Sequence, residues 1–176
     1  MYEDMIPLEQ VIQILNLKPL VGEGGMWAQP YVSDELLAAD TLAGRPTDRP
    51  VCSTIHYLVT PTSFSCMHRL VSDEVWYHHA GPAVELLLVH PDGTSEVRRL
   101  GQDLARGDLP QLHVPRGTWQ GCAMAESGPY TLMSTSMAPA YQDSDFTAGT
   151  YEALAPFVAP EHLDLLRRLT SEPVYE

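Results

Sequence analysis

Several polar side chains fall where a folded chain would have to bury them. Glu74, Trp76 and His78 alternate along EVWYHHA, so an extended strand presents all three on one face. By the same rule His68 and Cys66 share a face of the preceding strand, and Gln120 and Cys122 share a face of a later one. If these faces line a small barrel, an imidazole, a carboxylate and an amide leave water. That is unfavourable unless each meets a partner, a metal or a ligand. The residue types suggest two chemistries. His68 beside Glu74 is a general acid–base pair, in which the carboxylate orients the ring's tautomer. The same two groups are also donors for a divalent metal. Trp76 and Trp119 offer an aromatic wall for a planar or sugar-like ligand, although buried tryptophans serve cores equally well.

The elements that must position these residues are mostly strands. STIHYLVT, FSCMHRL and SDEVWYHHAG are short β-type runs, and AVELLLVHPDGTSEVRRLG is a hairpin that turns at His90-Pro91-Asp92-Gly93. LPQLHVPRGTWQGCAMA and PYTLMSTSMAP add more. Short strands with turns between them predict an all-β sandwich or small barrel over a core of residues 51–140. Before it, residues 6–17 predict a helix with Leu8, Val11, Ile12 and Leu15 on one face. VGEGG is a turn, and MWAQPYV reads as a short edge strand. DELLAAD suggests a helical turn, and LAGRPTDRP completes a loop over 34–50. Residues 160–170 predict a C-terminal helix, with Leu163, Leu166 and Leu169 on one side and Arg167-Arg168 in the last turn, where they suit the helix dipole. One domain, residues 1–176, accommodates all of this.

Composition narrows the partners. With 44% hydrophobic and 19% charged residues the chain is a globular protein, not a disordered one. A formal charge of −13 repels phosphate backbones and anionic lipid, so neither nucleic acid nor a membrane surface is an expected partner. The longest apolar run, VELLLV, is too short to span a bilayer, and the acidic start MYEDMIPLEQV does not read as a signal peptide. Three cysteines without CxxC spacing fit a reducing compartment, so a cytoplasmic location is expected. Cys66 and Cys122 read as small buried hydrophobes, with no neighbour placed to make a thiolate. His56, His90 and His113 read as surface residues, and His79 points away from His78. P-loop, GxGxxG, GxSxG and HExxH motifs are absent.

The run HRLVSDEVWYHHAG carries a resemblance. His68, Glu74 and Gly81 match the first motif of the cupin superfamily, with Leu70 where a second histidine usually stands. Pro115, Gly117 and Gln120 match the frame of the second motif, with glutamine in place of histidine. Together GEGG, STIHYL, HRLVSDEVW and VPRGTWQ resemble the cupin-5 branch from about Ile6 to Ala140. The resemblance implies a cupin jelly-roll β-barrel with helices at both ends, and a homodimer. It makes Glu23, in the GEGG turn, a candidate ligand contact at the pocket mouth. Two departures from the branch stand out: His78 adds an imidazole on the Glu74 face, and the 34–50 loop is unusual.

A typical cupin metal site takes three imidazoles and one carboxylate. Here the motif positions hold one of each, plus Gln120, a weak ligand for a transition ion. His78 would complete a two-histidine, one-carboxylate set, but four strand steps of roughly 3.3 Å put it roughly 13 Å from Glu74 along the chain. The preferred reading is therefore a metal-independent acid–base enzyme of the isomerase, epimerase, lyase or cyclase type. His68 and Glu74 would be catalytic, and Trp76, His78, Gln120, Trp119 and Glu23 would contact a small-molecule ligand. Metal-free dTDP-sugar epimerases, similar in fold only, add a tyrosine, for which Tyr57 and Tyr130 are candidates. The alternatives are a mononuclear oxygenase or lyase with Fe, Mn, Ni or Zn on His68, Glu74 and Gln120, or a ligand-binding barrel without catalysis.

Overall fold

Apolar alternation from Ser53 onward builds two facing antiparallel sheets. The structure, a computed structural model, describes residues 5–43 and 45–173. The strands run β1 (Lys18–Pro19), β2 (Met26–Val32), β3 (Leu36–Leu37), β4 (Arg49–Pro50), β5 (Ser53–Val59), β6 (Ser65–Arg69) and β7 (Glu74–Ala80). They continue with β8 (Val84–Val89), β9 (Ser95–Leu100), β10 (Gln111–Val114), β11 (Trp119–Met124), β12 (Thr131–Met137) and β13 (Thr147–Ala148). One sheet has the order β1-β2-β5-β12-β7-β10, and the other β13-β6-β11-β8-β9. The closed pair is a jelly-roll, as the sequence predicts.

Between the sheets lies a core that includes Tyr57, Trp76, Leu86, Leu88, Val114 and Met133. Leu87 points the other way and is equally buried, because the C-terminal segment covers that outer face with Leu154, Leu166 and Leu169. This explains why VELLLV is apolar without alternation: the strand is covered on both sides. The helix α1 (Leu8–Leu15) caps the outer face of the first sheet, where Val11 packs with Met26, Leu58 and Tyr130. It ends at Asn16, whose left-handed φ of 52° turns the chain.

Local expectations are refined at three points. The helix expected over 160–170 forms as a 3₁₀ turn at Pro160–His162 that runs into α3 (Leu163–Leu169), and α2 (Tyr151–Leu154) with a 3₁₀ turn at Ala155–Phe157 precedes it. Prolines at the start of both 3₁₀ turns mark where each begins. DELLAAD is not a helical turn. Leu36 and Leu37 pair with Pro50 and Arg49, and the loop folds back on itself. MWAQPYV is a strand at the sheet edge except at Met26 and Trp27, where β1 adds two residues outside it. Among the described residues no helix is long and apolar enough to cross a membrane. The first four residues of the start read as no signal peptide, and Gly44 of the loop, lie outside the described residues.

Candidate functional site

A β-bulge aims His68. Opposite β11, Gln120 pairs with His68 but Cys122 pairs with Ser65, so β6 spends three steps where β11 spends two. The extra residue breaks the inward–outward alternation. Cys66 therefore does not share His68's face: it packs outward in the cluster under the C-terminal helices, with its Sγ 3.6 Å from the Ser171 carbonyl. His68 and Ser65 turn inward. The bulge also brings the Cys66 carbonyl within 2.8 Å of His68 Nδ1. A carbonyl only accepts, so Nδ1 carries the proton and Nε2 is the basic nitrogen. His68 is only 1% exposed, and its Nε2 makes no hydrogen bond among the described residues. The Phe146 ring stacks on the imidazole at 5.3 Å.

His68 lines a cavity of about 580 Å³ at the end of the barrel where β5 and β7 begin. Glu74, Trp76, Tyr57 and Glu23 share its wall. Behind them Gln120 ties two of these groups together. The indole Nε1 of Trp76 donates to Gln120 Oε1 at 2.9 Å, and Gln120 Nε2 donates to Glu74 Oε2 at 2.6 Å. An indole N–H can only donate, which fixes the amide's orientation. Glu23 enters from the turn before β2. Its Oε1 accepts from the Ser65 hydroxyl at 3.0 Å, and its carbonyl accepts from the Cys66 N–H at 2.8 Å. That turn must be glycine-rich: Gly25 has φ of +68°, and a Cβ there would sit 2.7 Å from the Tyr57 hydroxyl.

Burial dominates the electrostatics. It pushes the Glu74 carboxyl above its usual range. A protonated His68 would work in the opposite direction, and Glu23 adds to the rise. Burial raises Tyr57 well above its usual value, with Glu23 again contributing, and the Tyr57 hydroxyl donates to the Gly24 carbonyl at 2.7 Å. The Cys66 thiol is pushed up to about 11 and Cys122 higher still, both mainly by burial, which suits inert hydrophobes.

Other predicted contacts lie elsewhere. His78 is inward but at the far end of β7, where its Nε2 meets the Pro82 carbonyl at 3.1 Å and the chain seals it off from the cavity. Trp119 faces outward, because Gln120 takes the inward position. It packs with the C-terminal cluster, and the Arg69 guanidinium lies 4.6 Å from its ring. Tyr130 is outside the barrel, its hydroxyl donating to the Ile6 carbonyl at 3.0 Å. Among the described residues no three His, Cys, Asp or Glu side chains gather as a metal site. Gln120 does not supply a missing ligand, since its oxygen is taken by Trp76 and its NH₂ faces Glu74. Leu70 lines the cavity where the usual second histidine would stand. These residues do not fit the customary cupin metal set.

The sequence reading missed Trp27, Tyr141, Asp143 and Phe146, which complete the cavity or cover His68. They come from segments before β5 and after β12, distant from both motifs. The one available signal was AYQDSDF, a polar and aromatic stretch that directly follows the strand ending at Met137.

A second cleft, about 1040 Å³, opens under the 34–50 loop. Its buried Arg49 meets Asp145 at 2.8 Å, and Arg45 reaches Asp145 at 3.5 Å and Ser72 Oγ at 2.7 Å. Arg45 also donates to the Val71 carbonyl. This cluster ties the loop to the barrel end.

The comparisons agree with this architecture. The family described as "Cupin superfamily (DUF985)" matches residues 9–149. A crystal structure of a protein from Shewanella oneidensis is similar at 30% identity and TM-score 0.80, covering 95% of this chain and 99% of that one. A hypothetical protein from Leishmania major is similar at 28% identity and TM-score 0.79, covering 97% and 100%. Oxalate decarboxylase from Bacillus subtilis is similar at 13% identity and TM-score 0.54, covering 92% of this chain and 39% of that one, a likeness of fold alone. No curated protein matches. The chain belongs to the cupin superfamily, in the family described as DUF985.

Proposed function

We propose that the barrel cavity binds a small molecule and moves a proton on it without a metal. His68 is the base, and Glu74 is a separate acid on the same wall: contrary to the expected pair, Glu74 makes no hydrogen bond or ion pair with His68, whose tautomer the Cys66 carbonyl sets instead. The observation that carries this reading is the tautomer: the Cys66 carbonyl holds the Nδ1 proton, which leaves the Nε2 lone pair on the cavity wall. The Glu74 carboxyl, raised by burial, is suited to hold a proton and give it to an oxygen that becomes charged.

The step is a proton abstraction beside a carbonyl. Nε2 takes a proton from an acidic C–H, and the electron pair of that bond moves onto the carbonyl oxygen, which Glu74 protonates. Proton delivery from water to the opposite face of the same carbon, with the enol proton returning to Glu74, gives an epimer; where that carbon bears a hydroxyl, delivery from His68 to the former carbonyl carbon, with the hydroxyl proton passing to Glu74, gives an isomer. Loss of a leaving group from the next carbon gives elimination. Trp76 and Gln120 hold Glu74 in place through the amide bridge. Tyr57 is bound to Gly24 and its proton is held tightly, so it shapes the wall and does not shuttle.

Incubation in D₂O with a panel of small carbonyl and sugar-like compounds tests this. Mass spectrometry should find deuterium entering a carbon adjacent to a carbonyl. His68→Gln should slow that entry by about 100-fold or more, the usual contribution of a positioned acid–base group. Entry at an unchanged rate in the variant would overturn the assignment.

A further inference from the structure

We infer that the ligand of the barrel cavity carries a positive charge, an amine or ammonium group, held by Glu23 and the aromatic rings around it. This rests on the reading of the cavity as a small-molecule site and names its substrate class.

The wall is acidic and aromatic. Glu23, Glu74 and Asp143 line it, and no lysine or arginine does. Trp27, Tyr57, Trp76 and Tyr141 line it too. Ring faces attract cations, most strongly where water is scarce. Trp27 already takes one from outside the cavity: the Lys18 ammonium sits 4.7 Å from its ring centre. Glu23 uses Oε1 for Ser65, and its second oxygen makes no hydrogen bond among the described residues. His68, 1% exposed, points an unpartnered Nε2 into the same space. The cavity thus holds unused acceptors and no cationic partner for them. An anion would meet the Glu23 and Asp143 carboxylates with no guanidinium or ammonium to offset them, an unfavourable exchange of water for like charge.

The field of Glu23 reaches across the site. It contributes to the raised pKa of Glu74, Tyr57 and Tyr141, the last pushed up to about 12 with burial as the main cause. A cation placed among these groups would relieve that repulsion.

Three probes of one shape and different charge make the test: benzylammonium, benzyl alcohol and benzoate, titrated at low ionic strength by NMR on the whole chain. Benzylammonium should bind about tenfold or more tighter than benzoate, with benzyl alcohol between. Glu23→Gln should weaken benzylammonium about fivefold or more while benzyl alcohol changes by less than about twofold. Asp143→Asn, a second variant, should shift the preference in the same direction should Glu23→Gln not fold. Benzoate binding as well as benzylammonium would overturn the inference. So would a cation preference unchanged in both variants.

These outcomes separate from those of the proton-transfer reading. His68-dependent deuterium entry confined to anionic compounds sinks the charge inference and leaves the chemistry. Cation preference with no His68-dependent entry into amine-bearing carbonyl compounds sinks the chemistry and leaves the charge inference. Binding of none of the three probes at about 10 mM, a concentration that reveals even weak contacts, overturns the charge inference and leaves the chemistry to the deuterium test.

Discussion

The barrel cavity and the cleft under the 34–50 loop meet at Gln142, which lines both, and they treat charge in opposite ways. In the cleft Arg45 and Arg49 are buried against Asp145, and each guanidinium also meets a backbone or side-chain oxygen from the barrel end. Its charges answer one another, and of the buried nitrogens of the two guanidinia only Arg49 Nε is left without a hydrogen bond among the described residues. In the cavity His68 keeps a bare Nε2, Glu23 keeps a free oxygen, and the Glu74 carboxyl is raised by burial. Its polar atoms are left over after the protein's own bonds are made. A buried group satisfied within the chain holds structure, and one left unsatisfied on a cavity wall is available to a ligand. By that criterion the larger cleft is a brace, and the smaller cavity is the site we propose.

The largest effect should come from breaking the brace. Asp145→Ala leaves two buried guanidinia without their carboxylate and should cost about 3–5 kcal/mol, read by urea unfolding. A loss typical of a surface ion pair would mean that the cleft charges are solvated and the contrast is false. Next, Gln120→Leu removes the bridge between Trp76 and Glu74 and should cost about 1–3 kcal/mol, because an indole N–H is left buried and unpaired. It should also loosen Glu74 and slow any proton transfer, which an apolar spacer in the core would not do.

Glu74→Gln should have a smaller effect on stability, with a particular pH dependence. The folded pKa of Glu74 is raised, so its neutral form is the one the fold favours. That contribution is fully present below the usual carboxylate pKa and is lost as pH rises through the folded value. Relative to wild type, Glu74→Gln should therefore gain stability from acidic to neutral pH, measured by unfolding at each pH. A relative loss over that range would mean that His68 outweighs burial. Smallest is Trp119→Phe, which should cost about 0.5–1 kcal/mol through its contact with Arg69 and leave probe binding in the cavity unchanged. Altered binding would return Trp119 to the site.

How far these features were legible varied with their range along the chain. The strands and the hairpin were legible because alternation is local, and His68, Glu74 and Gln120 stood out because polar groups on an inward face need a reason. Cys66 was misplaced because a bulge depends on the partner strand, and nothing within FSCMHRL announces it. Trp119 was misassigned for a related reason: both faces of β11 are covered, one by the barrel interior and one by the C-terminal helices, so burial alone does not say which way a tryptophan points. His78 was on the correct face at the wrong depth, since period two gives a side and not a position along the barrel axis. Tyr141, Asp143 and Arg49–Asp145 were invisible because they meet through long-range closure of loops that carry no periodicity.

Long-range ¹H–¹⁵N NMR of the His68 ring at neutral pH tests the central claim most directly, because it reads which nitrogen carries the proton. Nδ1 should be protonated on the Cys66 carbonyl and Nε2 bare toward the cavity. A ring protonated at Nε2 alone would leave no base on the cavity wall and would contradict that claim.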